Sequence, residues 1–246
     1  QLILASVLAD GSYPLALTKA GSGELVLSGA HTFTGATNLN AGTLTLGASG
    51  VLADAAALAI NGGTLNVANN ETVGAVTMKA GTISGSATLT GSSFALQSGT
   101  VSAILGGSGN LTKLGNGALT LSAANTFTGK AILNQGRVNI TAANNLGDAS
   151  ATNTLTLNGG TLSYTGSGTA NLVANQVVNV GGSGATLNVS DATSILNLQG
   201  GIVTSAAANL TKTGLGVVSV GLGGSTNLNG GNVTVSAGVL NAGFTA

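Results

Sequence analysis

Short segments in which apolar and polar residues alternate recur along the chain, as in "TLTL" at Thr43, "TLNV" at Thr64 and "NTLTLN" at Asn153. A period of two marks a strand with one buried face, and Thr and Val suit such a face. Between the strands stands a recurring corner phrase: "NAGTLTL" at Asn40, "NGGTLNV" at Asn61, "KAGTISG" at Lys79, "QSGTVSA" at Gln97, "NQGRVNI" at Asn134, "NGGTLSY" at Asn158 and "SAGVLNA" at Ser236. Its glycines, Gly42, Gly63, Gly81, Gly99, Gly136, Gly160 and Gly238, are expected at positive φ, where a side chain would clash. The first four are 18 to 21 residues apart, and the gap to Gly136 is about two such periods. Strands this short, joined by one-glycine corners, leave no room for the helices of a doubly wound α/β fold. An antiparallel sandwich does not predict a fixed period. A coil of about 20 residues, stacked in parallel on the coil below, does. The pattern therefore predicts an all-β fold, a parallel β-helix (solenoid) of roughly 12 coils with about 20 residues per coil. Aliphatic residues would stack inward, and inward Asn residues at the corners would form an amide ladder.

A longer phrase is written twice. "LTKAGSGELVLSGAHTFTGATNLNAGTLTL" (17–46) and "LTKLGNGALTLSAANTFTGKAILNQGRVNI" (111–140) align without a gap, with about half of the positions identical. A worn third copy starts at Leu210. The two copies start 94 residues apart, close to five coils. Phe33 and Phe127 therefore lie too far apart to stack on each other, and each is expected to plug the interior or pack a turn.

Composition fits a thin, repetitive core. The 246 residues include 41 Gly, one Pro, no Cys and no Trp; aromatics are 2% and charged residues 5%. An ordinary soluble domain carries roughly 25% charged residues. Disorder needs low hydrophobicity and high net charge, and here the formal charge is zero with 43% hydrophobic residues. No apolar run reaches the length of a membrane helix, and the aromatic girdles of a membrane barrel are missing. Neutrality gives no handle for nucleic acid. The absence of Cys removes disulfides and thiolate metal sites.

Leu111, Lys113, Gly115, Gly117, Leu119, Leu121, Asn125, Thr126, Phe127 and Gly129 carry a family resemblance. They resemble the autotransporter-associated β-strand repeat found in passengers of bacterial type V secreted proteins. The first copy departs from the pattern at His31, and the third loses the T-F-T-G segment. The resemblance implies a right-handed β-helix at the bacterial surface or outside the cell. It implies no activity, because the repeat is structural. On this reading residues 1–246 form one domain. Residues 1–16 are its N-terminal edge or capping strand or an inter-subunit strand, and 17–46, 111–140 and 210–242 are homologous units.

Candidate chemistry is sparse, and no catalytic, cofactor-binding or metal-binding residue is assigned. Asp10, Glu24, Asp54, Glu71, Asp148 and Asp191 stand singly, without the carboxylate clusters that glycan-cleaving solenoids need. Asp54 and Glu71 are expected as solvated turn carboxylates on neighbouring coils. His31 is expected at the turn position that Asn125 fills in the second copy. Lys19, Lys113 and Lys212 hold equivalent repeat positions and are expected as solubilising charges beside exposed turns. "GGSGN" (106–110) lacks the Lys and the helix of a phosphate loop and is read as a loop. Thr-x-Thr pairs are irregularly spaced and predict no continuous array. The stretch 142–152 interrupts the period, as a short excursion or a single helical turn, and is the first place to seek a ligand loop. The expected partners are further copies stacked on the solenoid ends, or neighbouring coils of a longer chain, with surface glycans or proteins beside them. Nucleic acid and membrane insertion are not expected. The leading functional expectation is a non-enzymatic filament or surface-layer protein; the alternatives are an adhesin passenger and a glycan-cleaving enzyme.

Overall fold

The computed structural model describes residues 1–204, 208–221, 227 and 229–242. It is a parallel β-solenoid of about 11 turns, with about 21 residues per turn. Two sheets run its length. A 12-stranded sheet starts at Leu2–Leu4 and Glu24–Leu27, and an 11-stranded sheet starts at Leu17–Lys19 and Thr37–Leu39. Every strand pairing is parallel, for example Leu25 with Leu44, and Leu44 with Leu65. The turn count is lower than the sequence suggests because later coils are longer. From Thr169–Leu172 onward each coil adds a strand on the third side, and these strands build a four-stranded sheet.

The core follows from the period of two. One inward column of the 12-stranded sheet reads Leu25, Leu44, Leu65, Ile83, Val101, Leu121, Ile140, Tyr164 and Val189, each stacked on its neighbour. All nine are buried. Burial of each aliphatic side chain contributes about 1.5–3 kcal/mol, offset by chain entropy. Phe33 and Phe127 are both buried and separate, as expected. Phe127 packs instead against Phe94, with ring centroids 6.4 Å apart. The outward positions form columns too. Thr43, Thr64, Thr82, Thr100 and Thr120 lie on consecutive coils, a single line of threonines rather than an array of pairs.

Most corner glycines do what the sequence requires. Gly42, Gly63, Gly81, Gly99, Gly136 and Gly238 have φ between 65° and 120°. At the Asn158 corner the left-handed residue is Gly159, not Gly160. The amide ladder is short and faces outward. Asn61 Nδ2 donates to Asn40 Oδ1 at 2.9 Å, and both residues are exposed. An inward amide would have to satisfy all its polar atoms in an aliphatic core.

Candidate functional site

One corner position holds a buried side chain that accepts backbone N–H groups on three coils. It is the fourth residue after an inner strand: His31 after Glu24–Leu27, Glu71 after Thr64–Val67, and Asn125 after Ala118–Leu121. Each side chain accepts a backbone N–H from the coil before. His31 Nδ1 accepts from Leu8 at 3.1 Å. The Glu71 oxygens accept from Val51 and Leu52, both at 3.0 Å. Asn125 Oδ1 accepts from Leu105 at 2.8 Å, and its Nδ2 donates onward to the Asn145 carbonyl. A corner turning out of a ladder strands an N–H, and a buried one costs about 1–3 kcal/mol if unpaired. Three different residues meet the same need, so identity here is set by hydrogen bonding. His31 thus sits where the sequence places it. Glu71 does not: it is buried, and only Asp54 of that pair is exposed. The acceptor role was hidden because a carboxylate, Glu71, stands where the two copies of the long phrase carry His31 and Asn125.

The lysines correct the sequence reading most sharply. Lys19, Lys113 and Lys212 are 8%, 0% and 1% exposed. Their stems occupy inward columns; Lys113 stacks between Leu96 and Leu133. The ammonium then bends into the adjoining turn. Lys19 Nζ donates to the carbonyls of Ala20, Gly21 and, from the next coil, Ala41. Lys113 Nζ donates to Leu114 and Gly115. Lys212 Nζ donates to Thr213, Gly214 and, from the next coil, Ala237. The first two lysines precede four-residue turns (20–23 and 114–117), whereas corners such as 61–63 have three residues and no lysine. The extra peptide unit leaves carbonyls that a cation can gather. Burial pulls Lys113 and Lys212 below the ordinary lysine range.

An open groove of ≈ 720 Å³ lies on one side of the solenoid. Its floor and one wall are the 3-10 turn Ala143–Leu146 with its flanks, inside the 142–152 stretch that interrupts the period. The other wall is Thr169–Leu172, the first strand of the third sheet. Asp148 is its one charged lining residue. The remaining acids are dispersed. Asp10 caps Leu15 and Thr34, and Asp191 caps Thr193 and Ser194; these hydrogen bonds hold both carboxyls below their ordinary value. Among the described residues, no three His, Cys, Asp or Glu side chains group as metal ligands. "GGSGN" ends a strand at Gly106 and continues as loop.

The passenger-associated-transport-repeat family matches residues 17–46 and 111–140. Those are the segments carrying Lys19 with His31, and Lys113 with Asn125. These two segments are autotransporter passenger repeats. The adhesin BmaC autotransporter of Brucella suis biovar 1 (strain 1330) is 34% identical to the chain over 214 residues. That alignment covers 80% of this chain and 6% of the relative, so the chain spans a small part of that protein's length. No solved structure matches the chain. The chain belongs with secreted proteins of the bacterial cell surface.

The worn copy shows that the lysine-capped turn is a local module. In both matched repeats the lysine strand lies in the 11-stranded sheet; at Leu210–Thr213 it lies in the 12-stranded sheet, one side further round. Lys212 caps its turn all the same. Residues 222–226 and 228 of that copy lie outside the described residues.

The corner acceptors predict opposite pH dependences. Burial lowers the His31 pKa from 6.5, and its Nε2 is buried without a partner. The unfolded chain then binds more protons than the folded one below 6.5, so the His31 contribution is complete above 6.5 and is lost as pH falls through the lowered value. His31→Asn, which copies Asn125, is expected to keep the neutral-pH melting temperature and abolish this loss. Glu71 runs the other way. Burial raises its pKa above 4.5; the amides of Leu52, Val51 and Gly50 partly oppose this, and Asp54 adds to it. The Glu71 contribution is complete below 4.5 and is lost as pH rises through the raised value. Glu71→Gln is expected to flatten that limb. Melting curves from pH 4 to 8 for both variants check both signs.

Proposed function

We propose that this chain is a non-enzymatic scaffold stretch of an adhesin-type passenger, whose long sides meet host or cell surfaces. On this reading residues 1–246 act as one solenoid unit, with 1–16 as its edge coil and 210–242 as a third repeat. The observation that carries the reading is the employment of the reactive side chains. His31, Glu71, Lys19, Lys113 and Lys212 each bind backbone groups of their own or a neighbouring coil, and none faces a cleft. The name of the relative, an adhesin, points the same way. Beads coated with the chain are expected to bind host-cell monolayers above albumin-coated beads, and a polysaccharide panel incubated with it is expected to release no reducing or unsaturated ends. Equal bead binding, or release of such ends, would refute the reading.

Exposed apolar residues on the first edge strand favour a second reading. Leu2 and Ile3 of Leu2–Leu4 are 63% and 58% exposed, and an edge strand invites pairing. Coils stacked there, from a second copy in a filament or surface layer or from a longer chain, would cover them. Residues 243–246, the last of the sequence, lie outside the described residues. Electron microscopy of the purified chain separates the cases. Long rods one coil wide support polymerisation; discrete particles of ~50–60 Å at high concentration exclude it.

A further inference from the structure

The third sheet begins abruptly. Its first strand, Thr169–Leu172, pairs with Ile195–Leu198 on one side only. On its other side the preceding coil offers the 3-10 turn Ala143–Leu146 instead of a strand, and the groove lies there. In a parallel ladder alternate residues send both N–H and C=O to the same neighbour. Ile195 N–H donates to the Gly168 carbonyl and Gln199 N–H to the Leu172 carbonyl, so Gly168, Ala170 and Leu172 face the paired strand. Thr169 and Asn171 therefore turn their N–H and C=O groups toward the groove, and none of the four meets a partner among the described residues. The side chains continue the pattern. Asn197 Nδ2 donates to Asn171 Oδ1 at 3.0 Å, which leaves Asn171 Nδ2 available to an amide one strand further out.

We propose that this groove captures an extended polypeptide segment of another protein by adding it as a strand to the open edge at Thr169–Leu172. Donors and acceptors alternating at strand spacing match a peptide backbone. The volume suits a bound segment, within the range of about 300–1,000 Å³ common to ligand sites. The lining opposes other classes. It holds no Lys or Arg for nucleic acid. Its aromatic ring, Tyr164, is buried with its hydroxyl donating to the Ser167 carbonyl, so a sugar finds no stacking platform. The proposal goes beyond the adhesin reading and stands independently of it.

The probe is the hexapeptide SILNLQ, the sequence of residues 194–199, which already pairs with the far side of this strand. In the free 246-residue chain, amide exchange by NMR should be fast at Thr169 and Asn171 and slow at Ala170 and Leu172. Saturating peptide should slow Thr169 and Asn171 by about tenfold or more. N-methylating alternate peptide residues should abolish binding in one register and spare it when shifted by one. Asn171→Pro removes a groove-facing N–H but no ladder bond, and should weaken binding at least about tenfold, while Asn171→Ala should still bind. Slow exchange at Asn171 in the free chain, no peptide binding at millimolar concentration, or equal binding by both methylated sets would overturn the proposal. So would groove shifts induced by maltoheptaose without any induced by the peptide.

Discussion

Gly81→Ala is expected to lower the melting temperature by about 10 °C, corresponding to about 3–4 kcal/mol. Two costs add. Gly81 has φ 111°, outside the left-handed well that other residues occupy, and forcing an alanine there costs about 1–3 kcal/mol. The new methyl also has nowhere to go. It would press on the Gly63 carbonyl of the coil before, and that carbonyl accepts the Thr82 N–H at 2.9 Å. The methyl thus pries open the first rung of the Thr82–Ser84 strand. Gly63 stands in the same relation to Gly42, and Gly99 to Gly81, so the glycines form a stair in which each step sits against the carbonyl of the step before. Gly50 is the control. Its φ is 65° and a Cβ there meets nothing within 4 Å, so Gly50→Ala should cost only about 1 kcal/mol. Differential scanning calorimetry of the two variants checks the contrast.

Lys113→Met is expected to cost about 2–4 kcal/mol although it trades a charge for an apolar side chain in an aliphatic column. Methionine fits the space: Met78 already occupies that column two coils earlier. The loss lies in the turn, where the carbonyls of Leu114 and Gly115 lose their donor. Norleucine, isosteric with the stem but uncharged, should behave like methionine, and arginine should not rescue, because its planar fork does not match a pocket shaped for an ammonium. Lys130→Met, a change at an exposed lysine of the same repeat, should move stability by less than about 0.5 kcal/mol. Urea titration of the set reads these differences directly. Equal stability of Lys113→Met and Lys130→Met would show that the turn does not need its cation.

The repeat, the strands and most of the corner glycines were legible in the sequence because they obey local rules. Alternation around Leu44 or Leu65 signals a buried face within four residues, and Gly42 or Gly63 signals a corner from its neighbours alone. The lysines and Glu71 were not legible, because their partners stand elsewhere. Ala41, which receives Lys19, is 22 residues away, and Leu52, which binds Glu71, is 19 away; no local window shows that these backbone groups need a partner. A lysine seen alone reads as solvated, and only its return at Lys19, Lys113 and Lys212, at equivalent positions of the repeat, hinted otherwise. The groove was half legible. The break in period at 142–152 marked one wall, but the open edge at Thr169–Leu172 depends on which side of the coil gains a strand, and that is decided by packing along the whole rod.

Spin-label distances test the stacked coil most directly. Thr43, Thr120 and Thr213 lie in one outward column, linked through Thr64, Thr82 and Thr100 and then through Asn139, Ser163 and Asn188. Cysteine substitutions at Thr43 with Thr120, and at Thr43 with Thr213, carry labels four and eight coils apart. The account predicts distances of about 19 Å and about 38 Å, set by ~4.8 Å per coil. Distances that fail to double between the two pairs, or that spread broadly, would contradict it.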